Sequence, residues 1–269
     1  MNFLNINYYI YIITKITKKI EKKFKITLFF ISIPRIIHFL IELFLLKKID
    51  KHNFFKVSNY FLEKTILQNN RMTIISGGIG HDASFENELI NFKNVKKIIC
   101  IDPTKIGKQT IQNLNSQKVF FEKKVLFNSN DKVKVFKPFE EINNFNFSIK
   151  NLYETKNFEY IEAIDETYLK NKYSLNNIDL LKLDIEGVAD IVIIDFLTKG
   201  FIPNQICFEL ERPISILKQF GFFCNFVKLC SFLKKHYDLY RYTEIKIGYR
   251  SEIIAVLKKQ PQSTDYGKN

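Results

Sequence analysis

The sequence predicts an α/β fold built on a largely parallel sheet, preceded by a basic helical extension. Three observations carry this. From residue 72 onward short apolar runs alternate with amphipathic stretches, which is the pattern of βαβ units. The strand candidate Met72–Ser76 ends in Gly77-Gly78-Ile79-Gly80, and Ile178–Leu183 runs into Asp184-Ile185-Glu186-Gly187. Upstream of residue 72 the texture differs, with long apolar and aromatic stretches separated by lysines.

The 269 residues, 46% of them hydrophobic, suffice for one ordinary domain plus an extension and for a sizeable core. Collagen, coiled-coil, disordered and disulfide-scaffold classes fail on composition. The net charge of +13 resembles a nucleic-acid signal until it is located. Residues 1–71 hold 13 Lys and Arg against 4 acids, whereas the remainder carries a net of only +4. No nucleic-acid partner is therefore expected for the α/β part. The four cysteines show no C-x-x-C pair and no histidine at ligand spacing. Cys100 and Cys207 sit in apolar runs and read as small buried hydrophobes, which fits a reducing compartment and gives no metal site.

In the extension, residues 3–13 are apolar and aromatic, and Lys15, Lys18, Lys19, Lys22, Lys23 and Lys25 follow. Residues 26–46 are long enough to span a bilayer, but Pro34, Arg35, His38 and Glu42 interrupt them. Arg35, His38 and Glu42 fall on one helical face, the stripe of an interfacial or core-packed helix. No small-residue cleavage site follows 3–13, so no signal peptide is predicted. Residues 15–48 can hold an anionic membrane surface at about 1 kcal/mol per lysine. They can equally pack on the domain with solvated lysines, and a true span of residues 26–46 is the third reading; all three stay open. The expected location is cytoplasmic, with attachment to the inner face of a membrane as the added option. The domain division is 1–70 extension, 71–259 α/β domain and 260–269 loose tail.

A helix capped by Asp82 or Ser84 runs to about Phe92, with Phe85, Leu89 and Phe92 on one face. Lys97–Ile101 is the second strand, and Pro103 fits the first turn of the next helix. KVFFEKKVLF and DKVKVF predict a third strand and a hairpin, and 138–160 has no assignment. A short helix follows over 164–172, then the strand Ile178–Leu183 and a helix over 188–198. The strand Gln205–Leu210, helical patterns over 214–220 and 226–236, and strands over 238–245 and 251–257 complete the chain.

The strand–GGIGHDA–helix segment satisfies G-x-G-x-x-A through Gly78, Gly80 and Ala83. Glycine lets backbone approach a ligand closely, and a helix start offers free N–H groups. Asp82 stands beside the turn as a further cofactor-binding candidate. Asp102 lies 22 residues after Gly80 at a strand end, where an acid can accept both ribose hydroxyls. A nicotinamide dinucleotide and S-adenosylmethionine both fit these two features. In LLKLDIEG, Asp184 and Glu186 end a buried strand, where acids are costly unless paired or functional. Capping of the next helix is the bland alternative. In FELER, Glu209 and Glu211 should share one face and Arg212 can pair with either.

Taken together, IISGGIGHDASFENELI, IICIDPT, IDLLKLDIEG and QICFELE resemble, in order and spacing, the FkbM-type family of S-adenosylmethionine-dependent methyltransferases over about residues 72–257. The resemblance implies a Rossmann-like seven-stranded sheet with an antiparallel last strand. It implies that Gly78 and Gly80 underlie the methionine part of S-adenosyl-L-methionine, that Asp102 holds the ribose, and that Asp184 sits beside the reacting centre. Where members carry Glu-x-His after the fifth strand this chain has Glu209-Leu210-Glu211, and LFNSND lacks an assignable adenine-binding acid.

The resulting expectation is methylation of a hydroxyl on a glycan or other small molecule, with Asp184 or Glu186 orienting or deprotonating the acceptor and His81 as a further candidate base. A divalent ion shared by Asp184, Glu186 and Glu209 has no support from spacing. Two other classes stay open: an NAD-dependent oxidoreductase or epimerase, and a methyltransferase-like fold kept as a binding module.

Overall fold

The computed structural model describes residues 40–138, 147–152, 155–211, 216–241 and 250–259. In chain order the strands are β1 (Lys47–Lys48), β2 (Phe54–Val57), β3 (Tyr60–Glu63), β4 (Met72–Gly77), β5 (Val95–Ile101), β6 (Val119–Glu122) and β7 (Val125–Leu126). They continue with β8 (Lys132–Phe136), β9 (Phe158–Ile164), β10 (Leu180–Leu183), β11 (Gln205–Glu211), β12 (Tyr237–Arg241) and β13 (Arg250–Leu257). The helices are α1 (Ser84–Ile90), α2 (Lys105–Gln112), α3 (Glu166–Tyr173), α4 (Ala189–Thr198) and α5 (Ile216–Leu233).

Among these residues an eight-stranded sheet runs in the order β1-β12-β13-β11-β10-β4-β5-β6. β13 is antiparallel to both β11 and β12, and the other pairs are parallel. This is the expected Rossmann-like sheet of seven strands with its last strand antiparallel, extended by the two-residue β1. The central strands are apolar on both faces because helices or a hairpin cover both. Ile75, Ile99, Leu181, Leu183, Ile206 and Phe208 pack with α4 and α5. Their alternates Ile74, Ile98, Cys100, Leu180 and Cys207 pack with α1, α2 and the β2–β3 hairpin. All four cysteines are free. Burial pushes the Cys207 and Cys230 thiols up to about 12, so neither is poised for thiolate chemistry.

Several expectations need correction. The extension is not helical throughout: β1, the β2–β3 hairpin and a 3-10 turn over Lys64–Gln68 occupy its described part. Hydrophobic Val57, Leu62 and Ile66 lock it onto the sheet. Residues 40–45 are helical, with Ile41 and Leu45 against the core and Leu40, Leu43 and Phe44 exposed. The segment 3–13, the lysines at 15–25 and most of 26–46 lie outside the described residues, as do Arg212 and the tail. No helix among the described residues is long and apolar enough to cross a membrane.

β7 and β8 do not form a hairpin. β9 lies between them, parallel to β7 and antiparallel to β8, in a separate three-stranded sheet. Pro103 precedes α2, because Thr104 is the N-cap and its hydroxyl accepts from Gly107 N. The two helical patterns after β11 are one helix, α5.

Candidate active site

The C-terminal ends of β4, β5, β10 and β11 converge on one side of the sheet, the usual position for ligands in an open α/β fold. The loop after β4 needs its glycines. Gly78 has φ +78° and Gly80 φ +59°, in the left-handed region. A Cβ on Gly78 would fall 1.9 Å from the Asp184 carbonyl oxygen, so the glycine loop lies directly against the β10 terminus. Gly78 N donates to Ile101 O and Asp184 N to Gly77 O, each at 2.9 Å, which stitches three strand ends together.

Asp102 braces this loop. Its Oδ2 accepts from Ile79 N at 2.8 Å and Gly80 N at 2.9 Å. Its Oδ1 accepts from the backbone N and the hydroxyl of Thr104. Four donors fill the lone pairs of a carboxylate. In this arrangement the buried Asp102 shapes the glycine loop, its oxygens engaged by local donors at the position where the resemblance expects ribose hydroxyls.

Lys182 is the functional candidate that the sequence reading passed over. It interrupts the apolar strand LLKL yet is buried, and its ammonium donates to Gly78 O. The same nitrogen lies 3.9 Å from Asp184 Oδ2. A lone cation in a four-residue buried strand was the available signal, since a charged group is not placed there without a partner. Tyr60, from the β2–β3 hairpin, donates to the same Asp184 oxygen at 3.0 Å.

Acids gather beyond Asp184. Glu209 and Glu211 share a face of β11, and Glu252 of β13 is paired directly across from Glu209. Asp184, Glu209 and Glu211 each offer an oxygen within 4.8 Å of the others, a set able to hold a divalent cation. Sequence spacing gave no such set, and the third acid of this set is Glu211, where the sequence reading had considered Glu186. Glu211 Oε2 accepts from Gly187 N at 2.6 Å, while its Oε1 is buried without a hydrogen bond. Burial, then repulsion from Glu186 and Glu209, raises the Glu211 carboxyl well above the usual range. Glu186 sits in the adjoining loop, whose backbone carbonyl accepts from Ser148 Oγ at 2.7 Å.

His81 and Asp82 are exposed at the loop's outer side. The Ser84 N–H donates to Asp82 Oδ1, which holds that carboxyl below its ordinary value and ties it to the start of α1. A cavity of about 620 Å³ joins these parts. Gly78, Gly80, His81, Asp82, Asp102, Asp184 and Glu186, the residues singled out in the sequence, all border it. Its volume suits a nucleoside-sized ligand. A glycine loop held open for close backbone approach on one side, and carboxylates on the other, fit a cationic cofactor of that size.

No family model matches the chain, and no curated protein matches it. Among solved structures, the FkbM methyltransferase of Methylobacillus flagellatus KT aligns at a TM-score of 0.43 and 8% identity, over 70% of this chain and 44% of that one. This chain therefore spans less than half the length of that protein. A putative rRNA methylase of Clostridium thermocellum aligns at 0.42 and 10% identity, over 74% and 94% of the two chains. M. capricolum TrmK, in complex with S-adenosylhomocysteine, aligns at 0.37 and 11% identity, over 73% and 67%. These scores carry no argument about activity; the sheet order carries the fold.

Proposed function

We propose that the chain is an S-adenosylmethionine-dependent methyltransferase acting on a hydroxyl of a small molecule or glycan. One observation supports this above the others. The Gly78 backbone is pressed against the Asp184 carbonyl, so the glycine loop and the Asp-Ile-Glu-Gly carboxylates share a single cavity. A hydride-transfer site is given no comparable reason for acids packed beside the glycine loop.

When bound, the cofactor supplies a methyl group already activated by its sulfonium. The protein's task is then alignment and proton management. Gly78 and Gly80 let the cofactor approach the backbone, and Asp102 fixes the loop by accepting from the Ile79 and Gly80 N–H groups. Asp184, held by Tyr60 and near Lys182, lies where a carboxylate can orient the acceptor hydroxyl and take its proton. Glu186 borders the same cavity and is the second candidate base.

Calorimetric titration with S-adenosylhomocysteine, with NADH in parallel, tests the reading. Micromolar binding of the former that disappears in Asp102→Ala is expected. Binding of NADH alone would move the protein to the oxidoreductases. Once an acceptor is found, Asp184→Asn should lower turnover by about 10²-fold or more, and unchanged turnover would remove Asp184 from the mechanism.

A further inference from the structure

We infer that the β2–β3 hairpin forms a wall of the catalytic site and that Tyr60 is a positioning residue, its hydroxyl holding the Asp184 carboxylate away from Lys182 and toward the cavity. The inference rests on the methyltransferase reading for the identity of the cofactor. It assigns a role to a segment upstream of the motifs that carry that reading.

The hairpin is fixed from two sides. The side chain of buried Gln205, on β11, donates to Glu63 O at 2.8 Å and accepts from Glu63 N at 3.0 Å. At the other end Ser58 N donates to Glu88, and the Ser58 and Ser84 hydroxyls lie 2.5 Å apart. Ser58 carries φ +49° in the two-residue turn between the paired Val57 and Tyr60. That conformation suits glycine, and an outlier held by two bonds to α1 is the kind of local strain found where a turn serves a site. Its effect is to present Ser58, Asn59 and Tyr60 to the cavity.

The Tyr60 ring packs edge-on against Phe85 with centroids 4.9 Å apart, and Lys182 Nζ lies 5.5 Å from the ring centre. Ring and hydroxyl are therefore fixed before any ligand arrives. Lys182 already donates to Gly78 O, and its 3.9 Å separation from Asp184 Oδ2 is long for a direct hydrogen bond. The Tyr60 hydroxyl competes with Lys182 for the same Asp184 oxygen, and its removal favours closure of that pair. The carboxylate would turn onto the ammonium, and its charge would no longer face a cation in the cavity. A charge-assisted hydrogen bond is strong enough to decide this orientation.

Tyr60→Phe tests the inference because it keeps the ring contacts and deletes only the hydroxyl. The full chain and the variant are titrated with S-adenosylmethionine and S-adenosylhomocysteine, which differ by a methyl and a positive charge. The expected result is about a tenfold loss of affinity for S-adenosylmethionine, the scale of one hydrogen bond to a charged group, with S-adenosylhomocysteine unchanged within about twofold. Asp184→Asn should show the same selective loss, and the double variant no further loss. Equal affinities in wild type and Tyr60→Phe, equal losses for both ligands, or additive losses in the double variant would each overturn the role of Tyr60. If Tyr60→Phe does not fold, Asp184→Asn alone decides: retention of the wild-type preference between the two ligands overturns the inference. Failure of the wild type to bind either ligand overturns the methyltransferase reading itself and the inference with it.

Discussion

The two sides of the cavity are built on opposite principles. On the glycine-loop side the Asp102 carboxylate is saturated by four donors, and the strand ends are tied to one another through the backbone. On the side formed by β10, β11 and β13, Glu209 faces Glu252, and the half-buried Glu211 lies beside Glu209 and Asp184 with its Oε1 buried and lacking a hydrogen bond. On the first side, hydrogen bonds from four donors offset the cost of burying the Asp102 carboxylate. The second stores repulsion that a cation would relieve. A site that must grip a cofactor's backbone-facing half and act at its charged centre is well served by this division.

The largest blow to the comparison should come from Gly78→Ala. The added methyl meets the Asp184 carbonyl and a φ of +78°, and no flexible side chain can yield. A loss of about 2 kcal/mol or more of stability is expected, with S-adenosylhomocysteine binding lost by calorimetry. Retained affinity would show that the loop is not rigid. Asp102→Asn comes next, because it places an NH₂ group where the carboxylate accepted from loop or Thr104 donors. Chemical denaturation should show a loss of about 1–3 kcal/mol, and an unchanged midpoint would mean the brace is dispensable.

Glu211→Gln should move the other way. A carboxyl whose folded pKa is raised contributes stability below its unfolded value of about 4.3 and loses it as pH rises toward the folded value. The variant should therefore melt about 2–4 °C higher than wild type at neutral pH, the shift that ~1 kcal/mol produces in a domain of this size. The gain should shrink as pH falls toward 4. A variant less stable than wild type at pH 7.5 would mean that the charged form is already compensated. The smallest effect belongs to Lys199→Met, which removes the ion pairs to Asp165, Glu166 and Asp195 on a side chain 35% exposed. Solvent screening limits the loss to about 1 kcal/mol. A larger one would place the stability of the domain in its surface charges, outside either side of the cavity.

Much of this arrangement was readable. The strands β4, β5, β10 and β11 announce themselves because both faces are buried, which makes them continuous apolar runs closed by glycine or acid. The same property put Gly78, Asp102, Asp184 and Glu186 at neighbouring strand ends. The hairpin was not readable. Its strands FFKV and YFLE have four residues each, and Ser58-Asn59 lacks the Asn-Gly signature of a tight turn. Tyr60 was thus one aromatic among many. Lys182 was hidden for another reason: a lysine in a strand reads as a polar interruption until its partner, the Gly78 carbonyl more than a hundred residues away, is known. The insertion of β9 between β7 and β8 is likewise a pairing that local pattern does not encode. The local donors that engage the Asp102 oxygens were equally hidden, because sequence spacing does not reveal such competition.

The placement of β13 has a consequence for the order of events during synthesis. Among the described residues β12 and β1 join the rest of the sheet through β13, which is made after both of them. Until residues 250–257 emerge, β11 presents an open apolar edge and β12 has no route to it. The chain must therefore carry an open β11 edge from the synthesis of residue 211 until residues 250–257 emerge, and non-local closure of this kind is slow and exposed to aggregation. Folding yield should accordingly depend on whatever shields the β11 edge in that interval, and shortening the chain before residue 250 removes a bridge from the middle of the sheet, with two further strands behind it.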